Sequence, residues 1–468
     1  MLSNTKIAIT TLLSTDLLKK ATLGALLSAM TLPAMAGPSV FPTGTTRYDP
    51  TKAFNSYVLF TGGDNIAHLI DLDGNSVHEW KDAAGHSTLI DPDLIAGKRG
   101  HVFVTLSTIE GKGTDLVPGQ ISRKVAKNIG ELDWDSKVIW EFGDKAPGNA
   151  AQQHHDWARL PNGNTLVLAN LVHAVKGLKQ AQIFDDIIYE VNPAGEVVWK
   201  WIASEHLDEF GFTPEELKLV RDADSPDFLH TNNLKVVGPN HWFAAGDKRF
   251  NPENILIHSR SANFIIIIDK KTGKVVWSLG PHYPAIPTGP QARNVPRPVD
   301  QISGQHDAHI IPEGLPGAGN LLVFDNQGGA GFPQAPLSFT GGSRVLEIDP
   351  VKKEIVWQYT GESSGGPSWS FRSTHISAAR RLPNGNTFID EGQSGRLFQV
   401  TKDGEIVWEY VNPYPRVGKD PANGRATVNY QLYRGQPVPY EWVPTGTPHS
   451  EKAVTPPDLN QFKVQSMH

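Results

Sequence analysis

The sequence predicts an all-β protein, a six-bladed β-propeller with four-stranded antiparallel blades and a Pro-rich C-terminal tail. Three observations carry that reading. A strand, a tight turn and a second strand bearing a large aromatic recur along the chain; Asn-Gly hairpins lie between these units; and helical periodicity is scarce. The 468 residues include 44 Gly, 35 Pro and 12 Trp, so turns are frequent and core-forming material is ample.

From the N-terminus, Lys6 and Lys19-Lys20 precede the uncharged run "ATLGALLSAMTLPAMA", which closes on Ala34-Met35-Ala36. This is the pattern of a secretory signal peptide over residues 1–36, and the run is too short for a spanning helix, which needs roughly 20 apolar residues. The expectation is a periplasmic or secreted protein without stable membrane insertion. No cysteine is present, so no disulfide can hold the exported chain. Loss of three lysines and one aspartate with the leader takes the formal charge from −6 to −8, which argues against a nucleic-acid partner.

Residues 37–56 are read as a segment that can add a ring-closing strand, since a closed ring of sheets avoids open edges. The propeller itself is expected over 57–412. Its repeat is carried by "LIDLDGNSVHEW", "ELDWDSKVIWEF", "YEVNPAGEVVWKW", "IIDKKTGKVVWSL", "LEIDPVKKEIVWQY" and "FQVTKDGEIVWEY", which bring His78, Trp140, Trp199, Trp277, Trp357 and Trp408 to one position. Those aromatics are read as blade packing. "ARLPNGNTLVLAN" and "RRLPNGNTFIDEG" add hairpins with Asn-Gly turns, giving about four strands per unit. One helix is expected from Thr213, with Pro214 at the first helical position and Glu215-Glu216 in the first turn. Residues 413–468 are read as a Pro-rich extension lying outside the ring or on one face.

In a propeller the first strand of each blade lines the central channel, and several such strands open with histidine. "QQHHDWARLPNG" brings His154 and His155, "FLHTNNLKVV" brings His230, "GQHDAHIIP" brings His306 and His309, and "STHISAARRLPNG" brings His375. Strands that run the same way converge at one mouth, and antiparallel second strands return there with Asn170, Ser259, Arg260, Asp325, Asn326 and Glu391. Arg344 and Arg396 open third strands and are expected farther out. His78, His86, His173, His258, His282 and His449 lack this positional pattern and are read as structural or solvated.

Converging His, Arg and amide groups suit an oxyanion. Neutral imidazole is a competent nucleophile near pH 7 because its reference pKa is about 6.5. A second His can exchange the proton of a departing or attacking oxygen, and Arg can offset charge on non-bridging oxygens. No P-loop or dinucleotide fingerprint is present, so the donor is expected to be a small ester.

"HTNN" at His230, "ILIHSR" with Arg260, "GQHDAHIIP" followed by "LLVFDNQGG", and "STHISAARRLPNGNTFIDEG" with "VTKDGEIVWEY" together resemble the bacterial arylsulfotransferases, six-bladed propellers also called aryl-sulfate sulfotransferases. The resemblance covers most of residues 55–412. It implies export and nucleotide-independent transfer of a sulfuryl group from an aryl sulfate to a phenolic acceptor through a sulfohistidine, without a cofactor or metal. It further implies His375 as nucleophile with His230 and His306 as partners; the strand positions add Arg260 to that group and give His155, Asn170, Asn326 and Arg344 as expected substrate contacts. "FDNQGGAGFPQ" holds no Arg where the resemblance would place one, leaving Arg260 or Arg344 for that part.

Three rival readings stay open at the level of sequence. "DKKTGKVVWSL" is similar to the Trp-bearing turns of pyrroloquinoline quinone dehydrogenases; clustered imidazoles suit zinc or copper; and a propeller can bind a small molecule without catalysis. A homodimer through the tail is likewise left open.

Overall fold

Antiparallel strands make up most of the regular structure in the described residues, which are 43–109, 125–281, 302–332, 341–419, 424–456 and 458 of a computed structural model. They belong to the unit Thr43–His468. The expected leader and His282 lie outside the described residues. In chain order the strands are β1 (Gly44–Tyr48), β2 (Tyr57–Thr61), β3 (Ala67–Ile70), β4 (Ser76–Trp80), β5 (Ala84–Leu89), β6 (Val102–Ile109), β7 (Val125–Leu132), β8 (Val138–Phe142), β9 (Gln153–Arg159), β10 (Thr165–His173), β11 (Ile183–Val191), β12 (Val197–Ile202), β13 (Thr231–Val236), β14 (Ile255–Ser259), β15 (Phe264–Ile268), β16 (Val275–Leu279), β17 (His306–Ile310), β18 (Leu321–Asp325), β19 (Arg344–Asp349), β20 (Glu354–Tyr359), β21 (Ala378–Arg381), β22 (Thr387–Glu391), β23 (Arg396–Val400), β24 (Ile406–Val411), β25 (Arg416–Lys419), β26 (Ala426–Asn429) and β27 (Gly435–Val438).

The fold is an all-β propeller of antiparallel sheets, but the expected count of six separate blades is corrected. Four sheets of four or five strands stand apart: β27-β2-β3-β4, β13 to β16, β17 to β20, and β21 to β24 with β1 on its outer edge. Strands β5 to β12 form one eight-stranded sheet instead, because β7 and β9 meet through the single pair Ala126 and Gln153. Helix is sparse. Helix α1 (Pro214–Arg221) starts at Thr213 with a capping box: Thr213 Oγ1 accepts from the Glu216 amide at 3.2 Å, and Glu216 Oε2 accepts from the Thr213 amide at 2.9 Å.

The core is a set of apolar layers between adjacent sheets. Leu256, Ile265, Ile267 and Trp277 pack against Ala308, Leu321, Val323 and Leu346, while Val58, Phe60 and Ile70 meet Phe388, Leu397 and Trp408. Inner and middle strands therefore have neighbours on both faces, which is why β15 reads FIIII and is buried throughout. Outer strands such as β20 (EIVWQY) are largely exposed.

The recurrent tryptophans do more than fill these layers. Trp80 donates its indole N–H to Asp133 O, Trp201 to Gly273 O, Trp277 to Pro350 O, Trp357 to Lys402 O and Trp408 to Leu72 O, at 2.8–3.0 Å. The acceptors lie in the turns leading to β8, β16, β20, β24 and β4 of the next sheet, so these five bonds tie successive sheets together, the last running from Trp408 to the β3–β4 turn. Three of the aligned positions differ: Trp80 and Trp201 make these bonds, two residues beyond His78 and Trp199, and the buried Trp140 Nε1 has no hydrogen-bond partner among the described residues.

The segment after Tyr410 enters the ring. Strand β27 pairs with β2, setting Val438 opposite Tyr57 and Gly435 opposite Phe60. Just before it, Arg434 reaches the axis, where Nη1 stands 2.8 Å from Asp156 Oδ2 and Nε 3.6 Å from Asp307 Oδ1. Lys235 Nζ lies 2.9 Å from Asp156 and 4.0 Å from Asp307, and Arg380 Nη2 donates to Asp307 Oδ1 at 2.7 Å. Strands β9, β13, β17 and β21 and the residue preceding β27 thus meet in one buried cluster of three cations and two carboxylates. Burial pushes both Asp156 and Asp307 up, but the adjacent cations outweigh it and hold them below the usual carboxylate range.

Asp156→Asn would leave the buried Arg434 and the half-buried Lys235 and Arg380 facing one carboxylate, and breaking such a cluster costs up to about 3–5 kcal/mol. The exposed Asp224→Asn control loses only a solvent-screened surface pair to Lys179 and should change stability far less. Urea unfolding of the two variants checks this, and equal losses would contradict the assignment of the cluster as the central tie.

Candidate functional site

The inner strands begin irregularly, and that irregularity presents the candidate groups. His155, His230, Asp307 and Ile376 have φ of 58°, 51°, 57° and 56°, the left-handed region that non-glycine residues seldom occupy and that costs about 1–3 kcal/mol each. Gly85 has the same sign at +85° in β5. Pairing registers shift alongside: opposite Val167/Ala169 in β9–β10, between Thr231 and Leu234, between His306 and His309, and between Ala84 and Thr88. A bulge of this kind re-aims side chains at the end of a strand.

His306 is buried, and both of its ring nitrogens are engaged. Its Nδ1–H donates to Asn326 Oδ1 at 2.7 Å, while Nε2 accepts from the Ile376 amide at 3.1 Å. Asn326 is fixed in turn, its amide nitrogen donating to Ser373 O at 2.6 Å and Ile376 O at 2.8 Å. His306 and Asn326 together hold the backbone on both sides of His375. Burial pushes the His306 pKa well below its ordinary value, and His258, Arg260 and His230 push the same way against the Asn326 bond.

His375 is half-buried, with Thr374 Oγ1 3.4 Å from Nδ1. Burial lowers its pKa, the Arg260 charge lowers it further, and a bond to Gln431 opposes both. Arg260 follows β14, and its backbone N–H donates to His230 O at 3.2 Å. Its Nε is buried with no hydrogen-bond partner among the described residues. His230 donates through Nδ1 to Asp227 Oδ2 at 2.7 Å, and its ring centre lies 4.9 Å from that of His155. His155 Nδ1 is 2.7 Å from His154 Nδ1, so one of those nitrogens carries the proton and the other accepts it.

The other expected contacts are more distant in role. Arg344 Nε donates to Asp325 Oδ2 at 2.7 Å, directly across the β18–β19 ladder, so its charge already has a carboxylate. Asn170 is buried in β10 opposite Asp186. Among the described residues no group of three or more His, Asp or Glu is arranged to hold a metal ion.

Three groups that sequence reasoning passed over stand in the same channel. His258 of β14 is fully buried, 6.4 Å from the His306 ring, and burial takes its pKa down to about 3. His86 stacks on Trp157 at 4.6 Å and 11°, with its pKa also lowered by burial to about 3. Tyr433 sits 5.3 Å from His86 and 5.7 Å from His155. The signal for His86 was present: "AGHSTL" opens an inner strand just as "QHDAHI" does. His258 carried no such mark, because it projects from within a second strand.

Residues 70–412 match the family described as Arylsulfotransferase (ASST). Comparison with curated proteins finds no match. Among solved structures, a protein of unknown function from Bacteroides caccae is 14% identical with a TM-score of 0.45, covering 82% of this chain and 99% of that one. Streptogramin B lyase is 14% identical with a TM-score of 0.38 over 86% and 94%, and the dihydro-heme d1 dehydrogenase NirN is 13% identical with a TM-score of 0.38 over 88% and 79%.

His306 is expected to stay neutral from pH 5 to 8, since charging it would place a buried cation beside Arg260 and break its bond from the Ile376 amide. Ring chemical shifts followed by NMR should be flat over that range. A titration centred near 6.5 would contradict the placement.

Proposed function

The chain belongs to the arylsulfotransferase family, and on that premise we propose that it moves a sulfuryl group from an aryl sulfate ester to a phenolic acceptor through a sulfohistidine on His375. The observation that carries this reading is Arg260: a buried guanidinium Nε without a partner among the described residues, placed where its charge acts on both His375 and His306. An unpaired buried donor is costly, and a sulfuryl oxygen would satisfy it.

In the first half-reaction a neutral ring nitrogen of His375 attacks sulfur. The bond from sulfur to the aryl oxygen breaks, and that oxygen leaves with the electron pair and takes a proton from His230. Asp227 holds His230 through Nδ1, leaving Nε2 for this exchange. In the second half-reaction the acceptor phenol returns its proton to His230 as its oxygen attacks sulfur and the N–S bond breaks. His306 and Asn326 keep the His375 backbone in place, and Arg260 offsets charge on the sulfuryl oxygens. No resident cofactor or metal is assigned to the reaction. The leader pattern of residues 1–36 further supports export.

Incubation with 4-nitrophenyl sulfate in the absence of acceptor should add one sulfuryl group to the intact protein, and His375→Ala should abolish it with a loss of activity on the order of 10⁴-fold or more. Phenol-dependent release of nitrophenol that survives His375→Ala would remove His375 from its role. Arg260→Gln should lower kcat by about 10²–10³.

The pH dependence has a definite sign. Attack needs neutral His375, whose pKa is lowered, so the acid limb of kcat/KM should fall below pH 6.5. Arg260→Gln removes a charge that lowers that pKa, and the limb should move to higher pH. A shift to lower pH would contradict the arrangement.

A further inference from the structure

After β24 the chain forms a small sheet of its own before it returns to the ring. Strands β25 and β26 pair with each other and with no third strand among the described residues, setting Val417 opposite Val428 and Lys419 opposite Ala426. Both strands are exposed along nearly their whole length, Val417 at 71% and Val428 at 38%. We infer that this hairpin docks the protein on an anionic phospholipid surface. The inference stands apart from the sulfuryl-transfer reading and uses none of its residues.

A two-stranded hairpin buries too little to be stable in water by itself, so its base must carry it. The Gly63 amide donates to Tyr414 O at 3.0 Å, and the Tyr414 ring stacks on His68 at 3.8 Å and 9°. Asn412 Nδ2 donates to Tyr430 O at 2.9 Å, which clamps the two ends together, and the Leu432 amide donates to Gly392 O at 2.9 Å. These contacts fix the base and do not cover the valines, whose apolar surface stays in water.

Charge selects the partner. Residues 416–429 hold Arg416, Lys419 and Arg425 against one acid, Asp420, a net +2 on a chain whose formal charge is −6. Cations draw such an element to anionic headgroups, and exposed aliphatic side chains gain by leaving water at the acyl boundary. Size argues against a protein partner. A specific protein interface engages about 20–30 residues a side, whereas these two strands have four residues each. A lipid surface needs no matching shape, so a small wedge suffices. Both ends of the hairpin return to the mouth: Val411 lies opposite Arg396, and Gln431 bonds His375. Docking therefore turns the mouth toward the lipid.

The chain has no cysteine, so Val417→Cys gives one attachment point for an environment-sensitive fluorophore on the hairpin. Added to the full labelled chain, vesicles of phosphatidylglycerol mixed with phosphatidylcholine should move the emission to shorter wavelength, and vesicles of phosphatidylcholine alone should not. Sodium chloride at about 1 M, where the screening length is about 3 Å, should weaken vesicle affinity by about tenfold or more. Arg416→Ser combined with Lys419→Ser should do the same at an unchanged melting temperature, since both side chains are exposed. The same label at Val198→Cys, exposed on β12, should stay flat, which separates docking by the hairpin from association through residues 1–36. A response equal on both kinds of vesicle, an unaltered affinity in the charge variant, or an equal shift at Val198→Cys would overturn the assignment. A shift that grows with protein concentration in the absence of vesicles would overturn it as well, and would give the hairpin to a second copy of the chain.

Discussion

The buried contact of Asp156 and Asp307 with Lys235, Arg380 and Arg434 is the constraint on which the mouth depends. Each carboxylate is one residue beyond a mouth histidine, His155 or His306, and Arg434 is one residue beyond Tyr433. Fixing the charged partner at the axis therefore fixes the neighbour at the rim. Two carboxylates removed from water need cations within reach, so the inner strands cannot slide past one another without stranding a charge. Such a cluster adds less to net stability than apolar packing of equal volume would. Its value lies in geometry: it sets the register of strands drawn from residues 153 to 438.

Above that tie, burial and charge divide the histidines by task. His86, His258 and His306 are held neutral by burial, and His306 is further locked by Asn326 and the Ile376 amide. His375 is half-buried, and burial and then the Arg260 charge lower its pKa. His230 is paired with a carboxylate, the arrangement that supports proton exchange. The proposed transfer needs a neutral imidazole and a guanidinium near one another, and the Arg260 charge acts on the His375 ring. The left-handed backbone at His155, His230 and Ile376 is the cost of bringing these side chains there.

Much of this was legible in the sequence. The strand–turn–strand units, the Asn-Gly turns, the capped helix at Thr213 and the histidines at inner-strand starts all rest on local patterns, and local patterns survive without a structure. What stayed hidden depends on long-range pairing. Gly435–Val438 joins Tyr57–Thr61 across nearly the whole chain, and nothing in "GQPV" signals that partner. The merging of β5 to β12 turns on one pair, Ala126 and Gln153. Tyr433 reaches the channel two residues before Gly435–Val438, His258 projects from within β14, and Arg344 lies across from Asp325.

The most direct measurement is a crystal structure of the protein soaked with inorganic sulfate, a non-reacting stand-in for the transferred group. One sulfate should lie within hydrogen-bond distance of Arg260 Nε and of a His375 ring nitrogen, with His230 at the same opening. A refined structure in which the Arg260 and His375 side chains diverge, so that no single anion touches both, would contradict the shared site.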